Sequence, residues 1–220
     1  MKLALVIDFD GTITDKDVGV FLLDTFSIED WHEYERRYLE GEINLRECLA
    51  GEYTTLPADE VILVNEALLN IDIRDGFIPF VKYCEEKGWP ITIVSGGLDF
   101  YIKAILDWQG LSRLRVVSGH ADFSKGPRVY ATWGEGPGSC EKIGTCKCYY
   151  IEKMISEGYQ VVFIGDGITD TCAADKADYI FARQQLQTYC LNNDIPFSQF
   201  NDFYDIKREL AIILKKHRDV

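Results

Sequence analysis

The sequence predicts an α/β protein, a doubly wound parallel sheet with a small helical domain inserted after the first strand. Three observations carry this. The chain opens on Leu3-Ala4-Leu5-Val6-Ile7, aliphatic and β-branched residues without polar alternation, as expected of a strand buried on both faces. Runs of the same kind recur at Ile91-Thr92-Ile93-Val94 and Val161-Val162-Phe163-Ile164, with helical periodicity in the stretches between. From residue 15 to 73 the texture changes to apolar positions at helical spacing, interrupted by Ser27, Gly41-Glu42-Ile43-Asn44 and Thr54-Thr55-Leu56-Pro57. The expected division is therefore an α/β core of residues 1–14 and 74–220 and a helical insert of residues 15–73.

Three strands of the core end in polar, phosphate-compatible groups. The first runs into Asp8-Phe9-Asp10-Gly11-Thr12. Residues two apart in an extended chain point to the same side, so Asp8 and Asp10 emerge together at the carboxyl end of the strand, where open α/β sheets keep their ligand crevice. Two adjacent carboxylates repel, and a hard divalent ion such as Mg²⁺ relieves them while accepting substrate phosphate oxygens. A carboxylate beside such an ion can also attack phosphorus. Within the insert, helices are expected around residues 18–23, 31–39, 45–49 and 59–69. The core resumes at Arg74-Asp75-Gly76-Phe77, a turn into a helix over 78–86, and Gly88-Trp89-Pro90 leads to the strand ending at Ser95-Gly96-Gly97. Ser95 can hydrogen-bond a phosphoryl oxygen or cap the helix expected over 98–108. A strand over 115–118 precedes His120-Ala121-Asp122-Phe123 and Arg128-Val129-Tyr130-Ala131-Thr132-Trp133, which suggest a hairpin. A helix opens at Lys147, 19 residues before Asp166. Then comes the strand ending in Gly165-Asp166-Gly167-Ile168-Thr169-Asp170, a helix over 171–176, a closing strand over 179–183 and a terminal helix from about 205 to 216.

Gross composition narrows the partners. The net charge of −13 over 220 residues argues against nucleic acid and anionic membrane surfaces and calls for a local positive source if the substrate is a phosphate. One lysine, backbone N–H groups and Mg²⁺ would supply it. With no run of 18 apolar residues and no basic leader before the first strand, the expectation is a cytoplasmic enzyme; a monomer and a homodimer both stay open, the sequence being silent on oligomeric state. Of seven cysteines, Cys48, Cys84, Cys172 and Cys190 fit reduced core positions. Cys140, Cys146 and Cys148 cluster, and with His120 they would make a Cys₃His zinc set, a reading left open beside the structural one for His120.

The conjunction of Asp8-Phe9-Asp10-Gly11-Thr12, Ser95-Gly96-Gly97, an upstream lysine and Gly165-Asp166-Gly167 with Asp170, in this order, resembles the haloacid dehalogenase-like phosphohydrolases. The resemblance implies a Rossmann-like core whose helical insert is a substrate-selecting cap, and Mg²⁺-dependent hydrolysis of a small-molecule phosphate monoester through an aspartyl-phosphate. It makes Asp8 the nucleophile and Asp10 the acid and base. Ser95, Gly96 and Lys147 hold the phosphoryl group, and Lys147 is preferred to Lys153 because it opens the helix. The metal falls to Asp8, Asp10 through its carbonyl, and Asp166, with Asp170 ligating it or ordering its surroundings. In the phosphoserine phosphatase-like subgroup a glutamate binds substrate where Asp17 stands here, and the arginine for the substrate carboxylate is replaced by Ala50. Arg36, Arg37 and Arg46 are the possible substitutes, with Arg46 and Asp17 retained as selecting candidates. Ser95-Gly96-Gly97-Leu98-Asp99-Phe100, His120-Ala121-Asp122-Phe123, Gly144-Thr145-Cys146-Lys147, Phe181-Ala182-Arg183 and Asp202-Phe203-Tyr204 resemble the methionine-salvage branch. That branch implies 2-hydroxy-3-keto-5-methylthiopentenyl-1-phosphate as substrate. Phosphoserine or another small metabolite, phosphotransfer to an acceptor, and non-catalytic binding of a phosphate ligand are the alternatives.

Overall fold

The computed structural model describes residues 2–134, 138–140 and 144–216. In chain order these form β1 (Leu3–Ile7), α1 (Val18–Phe26), α2 (His32–Leu39), α3 (Leu45–Tyr53), α4 (Glu60–Asn70), α5 (Phe77–Glu86), β2 (Ile91–Leu98), α6 (Asp99–Trp108), β3 (Arg115–Asp122) and β4 (Tyr130–Thr132). There follow β5 (Ser139–Cys140), β6 (Gly144–Thr145), α7 (Lys147–Ser156), β7 (Gln160–Gly165), α8 (Thr171–Ala174), β8 (Tyr179–Ala182), α9 (Gln184–Asn192), β9 (Ser198–Gln199) and α10 (Phe203–Lys216). The chain divides into two compact units. One comprises Met1–Asp15, Ile73–Val94 and Lys147–Val220, and the other Lys16–Asp72 and Ser95–Cys146.

The first unit is a mostly parallel α/β sheet with strand order β2-β1-β7-β8-β9. Leu5 pairs with Ile91 on one side of β1, and Val6 with Phe163 on the other. All five β1 residues and Val161, Val162, Phe163 and Ile164 of β7 are fully buried, which is why both strands read as unbroken apolar runs. Two rings fasten the terminal helix to the helix before β2: Phe77 and Phe203 meet edge-on with centroids 4.8 Å apart. The sheet continues past β8, the expected closing strand, because β9 adds Ser198 beside Phe181. A two-residue strand is too short to leave a periodic signal, and α9, before it, has too few apolar positions to announce itself.

In the second unit the four helices of the insert sit with α6 and the antiparallel pair β3 and β4, whose register matches Ala121 to Ala131. Local signals start three of the four insert helices, α2 having no side-chain cap at Trp31. Asp17 caps α1, Asn44 forms a reciprocal capping box with Glu47 on α3, and Asp59 caps α4. On α3 the buried Glu52 accepts the Cys48 thiol hydrogen at 3.1 Å, and burial pushes the Glu52 carboxyl up to about 7.

Two expectations are corrected here. β3 runs unbroken through Ser118 and His120, crossing Gly119, whose bareness admits the Trp133 ring, before it pairs with β4 from His120 to Asp122. β2 extends to Leu98, three residues past Ser95, so Ser95 lies inside a strand. The residue preceding α6 is Leu98, which makes no side-chain cap.

Candidate active site

The chain leaves β1 for β2 on one flank and returns to β7 on the other, so the strand order reverses between β1 and β7. Such a reversal opens a crevice at the carboxyl ends of the two strands. Asp8 follows the last residue of β1 and Asp166 the last residue of β7, and the Asp8 amide donates to the Ile164 carbonyl at 2.9 Å. The two carboxylates are thus set at the mouth of that crevice by adjacent strands.

Lys147, the first residue of α7, is 1% exposed and reaches into this acidic group. Its Nζ donates to Asp8 Oδ1 at 2.6 Å, to Asp170 Oδ1, and to Thr169 Oγ1 at 3.3 Å. The other oxygen of Asp170 accepts the backbone N–H groups of Asp166 at 2.9 Å and Gly167 at 3.0 Å. Thr12 Oγ1 donates to Asp166 Oδ1 at 2.9 Å, tying the turn after β1 to the turn after β7. Two glycines make room for this. A Cβ on Gly11, whose φ is +71°, would lie 2.5 Å from Asp166 Oδ2, and one on Gly165 would lie 2.5 Å from Asp170 Oδ2.

Asp8, Asp166 and Asp170 each bring a carboxylate oxygen within 4.8 Å of the others, and all three are buried. Burial pushes the Asp8 carboxyl well above its ordinary range. The charges of Asp170 and Asp166 push the same way and Lys147 opposes them. Burial works against the Lys147 ammonium, but Asp170 and Asp8 outweigh it and hold the lysine protonated. Lys147 brings one positive charge to three buried carboxylates, which leaves an acidic excess. All-oxygen donors with an excess of negative charge match a hard divalent cation, so the residues present fit Mg²⁺.

The remaining predicted residues are distributed between the two units. Asp10, half-buried, stands two residues beyond Asp8 in the first unit. Lys153, the rival of Lys147, is exposed on α7. In the second unit Ser95 is fully buried and its Oγ accepts the Gly97 amide at 2.9 Å, while the Gly96 carbonyl accepts Trp133 Nε1 at 3.2 Å. Asp17 is exposed and spends one oxygen on the Val20 amide at 2.9 Å. Arg46 donates to the Trp133 carbonyl at 2.7 Å. Arg36 pairs with Asp30 and Glu33, Arg37 with Glu42. His120 Nδ1 lies 3.1 Å from Asp99 Oδ2. Among the described residues Cys48, Cys84, Cys146, Cys148, Cys172 and Cys190 form no disulfide, and the side chain of Cys140, one member of the Cys₃His set, lies outside the described residues. Thr12, Thr169 and Arg74 are additions that sequence reasoning missed. A hydroxyl in the Asp-x-Asp-Gly-Thr turn was a signal for Thr12; Arg74 carried none.

This arrangement agrees with what the chain resembles. Residues 5–175 match the family model for haloacid dehalogenase-like hydrolases, and the chain belongs to that family. Two relatives are named 2-hydroxy-3-keto-5-methylthiopentenyl-1-phosphate phosphatase. The one from Geobacillus thermodenitrificans (strain NG80-2) is 35% identical over 93% of this chain and 94% of its own. The one from Brevibacillus brevis (strain 47 / JCM 6285 / NBRC 100599) is 35% identical over 95% of each. Among solved structures, a phospho-aspartyl intermediate analogue of phosphoserine phosphatase superposes with a TM-score of 0.67 at 21% identity, covering 94% of this chain and 98% of that one, a likeness of fold. Family and relatives together make this protein a phosphatase.

Proposed function

We propose that the chain is a Mg²⁺-dependent phosphate monoester hydrolase working through an aspartyl-phosphate on Asp8, with 2-hydroxy-3-keto-5-methylthiopentenyl-1-phosphate as its substrate. The observation that carries the chemistry is the buried Asp8 carboxylate held by Lys147 Nζ at 2.6 Å at the reversal of strand order. One Asp8 oxygen is fixed by the ammonium, so the carboxylate cannot rotate and its attack on phosphorus is directed. Asp10 donates a proton to the leaving alkoxide and then takes one from the water that cleaves the aspartyl-phosphate. Lys147, Ser95 and the Gly96 amide hold the phosphoryl oxygens.

Asp8, Asp166 and the Asp10 carbonyl would hold Mg²⁺, and the bound ion supplies positive charge against the transferring oxygens. Asp170 spends both oxygens on Lys147 and on two backbone amides, which suits it to orient that set. Residues 15–73 serve as the substrate-selecting cap, with Asp17 and Arg46 as candidates, and residues 1–14 and 74–220 as the core. The enzyme acts in the cytoplasm as a monomer or homodimer. No helix among the described residues is long and apolar enough to cross a membrane.

The substrate rests on the relatives' name and on the arginines. A substrate carboxylate needs a free planar donor pair. Arg36 and Arg37 are paired with acidic neighbours and Arg46 with a backbone carbonyl, which favours an ester without a carboxylate over phosphoserine. The test is phosphate release, with Mg²⁺ and with EDTA, from this ester, phosphoserine, sugar phosphates and p-nitrophenyl phosphate. Metal-dependent release with the salvage ester preferred is expected. Equal or better turnover of phosphoserine would overturn the substrate, and release unaffected by EDTA would overturn the metal. Added acceptor alcohols separate hydrolysis from phosphotransfer by their phosphorylated products.

A further inference from the structure

The turn that leaves the Asp8-Phe9-Asp10 segment is folded back on the Phe9 carbonyl, which accepts the amides of Thr12 at 3.2 Å, Ile13 at 2.9 Å and Thr14 at 3.1 Å. Thr14 Oγ1 closes it, accepting the Gly11 amide at 3.2 Å and donating to the Phe9 carbonyl at 3.2 Å. With its amides turned inward, the turn presents its own carbonyls outward, and one side chain collects them. Arg74 Nε donates to the Thr12 carbonyl at 2.8 Å, and Nη2 to those of Gly11 at 2.7 Å and Thr14 at 2.9 Å. The Arg74 amide also donates to the Ile13 carbonyl at 2.8 Å, and Ile73 bridges Thr14 in antiparallel fashion. Four consecutive carbonyls, from Gly11 to Thr14, are thus taken by one residue.

All of these atoms belong to the first unit, and the turn they fix serves the site twice. Asp10 immediately precedes it. Thr12, at its centre, holds Asp166 Oδ1. We infer that Arg74 is a positioning residue for the reaction: by clamping the 11–14 turn it sets the placement of Asp10 on one side and, through Thr12, of Asp166 on the other. The guanidinium is suited to this because its donors lie in one plane and at fixed angles, whereas a lysine ammonium is a point charge that cannot serve the same carbonyls together. The inference rests on the hydrolase reading of the site.

The experiment compares wild type, R74A and R74K with Mg²⁺ present, reading kcat, KM and Tm. R74A is expected to lose about 10–100-fold in kcat with KM changed less than about threefold, the signature of a misplaced reacting group rather than of lost binding. Free guanidinium, at concentrations far below those that unfold proteins, should restore part of that kcat in R74A and leave wild type unaffected, while methylammonium should not. R74K is expected to keep the wild-type Tm within a few degrees and still lose about tenfold in kcat. It carries the test if R74A does not fold. Full kcat in either folded variant, or a loss in R74A that guanidinium does not reverse at all, would overturn the assignment. A wild-type protein without turnover would instead overturn the hydrolase reading on which it rests.

Discussion

Lys147 Nζ lies 2.6 Å from Asp8 Oδ1, and the two side chains are only 2% and 8% exposed. An ion pair this far from water is held in place by the protein on both sides. Removing either partner therefore has different consequences for chemistry and for stability.

Asp8→Asn deletes the proposed nucleophile and one of three mutually repelling carboxylates, while Lys147 keeps Asp170. Phosphate release should fall below about a thousandth of wild type. Because burial and the charges of Asp170 and Asp166 outweigh Lys147 and disfavour the Asp8 charge, the variant should melt no lower than wild type in metal-free buffer. Substantial residual release in a pure preparation would rule out Asp8 as nucleophile.

Lys147→Met leaves Asp8 and Asp170 buried without their cation. Denaturant titration near pH 7 should show a loss of about 3–5 kcal/mol, and kcat should fall by about 10²–10³. Asp8 already has a raised pKa, and without the lysine it rises further, so its contribution is kept at low pH and lost as pH rises. The stability gap to wild type should narrow as the buffer is made more acidic; a gap independent of pH would contradict this.

Thr12→Val removes the hydroxyl that holds Asp166 Oδ1 at 2.9 Å and preserves shape. The Mg²⁺ concentration for half-maximal activity should rise about 10–100-fold, with kcat at saturating Mg²⁺ within a few-fold of wild type. An unchanged activation constant would separate Asp166 from the metal.

Glu52 offers a pH test away from the catalytic chemistry. Its carboxyl is raised by burial from 4.5 to about 7, so its contribution to stability is complete below about pH 4.5 and is lost as pH climbs through about 7. Glu52→Gln keeps an oxygen for the Cys48 thiol and carries no charge. It should be more stable than wild type at about pH 8 by up to about 3 kcal/mol, and no more stable at about pH 4. Parallel stability curves for the two proteins would show that Glu52 titrates normally.

How much of this was legible in the sequence depends on where each contact is made. Asp8, Asp166 and Asp170 stand at or just beyond the ends of strands whose apolar runs are visible, so position alone gathers them, and Asp10 follows Asp8 by two residues. Lys147 was legible because it opens a helix shortly before the last of these strands. The hydrogen bond from Thr12 to Asp166 joins positions 154 apart, and a hydroxyl carries no mark of its partner. Arg74 is harder still, since its targets are backbone carbonyls, which every residue has. Ser95 was placed at the end of its strand because Ser-Gly-Gly is turn-like in isolation, yet the backbone stays extended to Leu98.

The pairing of β1 with β7 also has a consequence for how the protein is made. On the ribosome, β1 is synthesised long before the strand it must lie against, and 154 positions separate Thr12 from the aspartate it holds. At ordinary elongation rates that interval is roughly 10–30 s. For most of it the nascent chain carries an all-aliphatic segment without its β7 neighbour, and Asp8 lacks Lys147, which is made 139 positions later. The acidic group of Asp8, Asp166 and Asp170 is thus complete only late in translation.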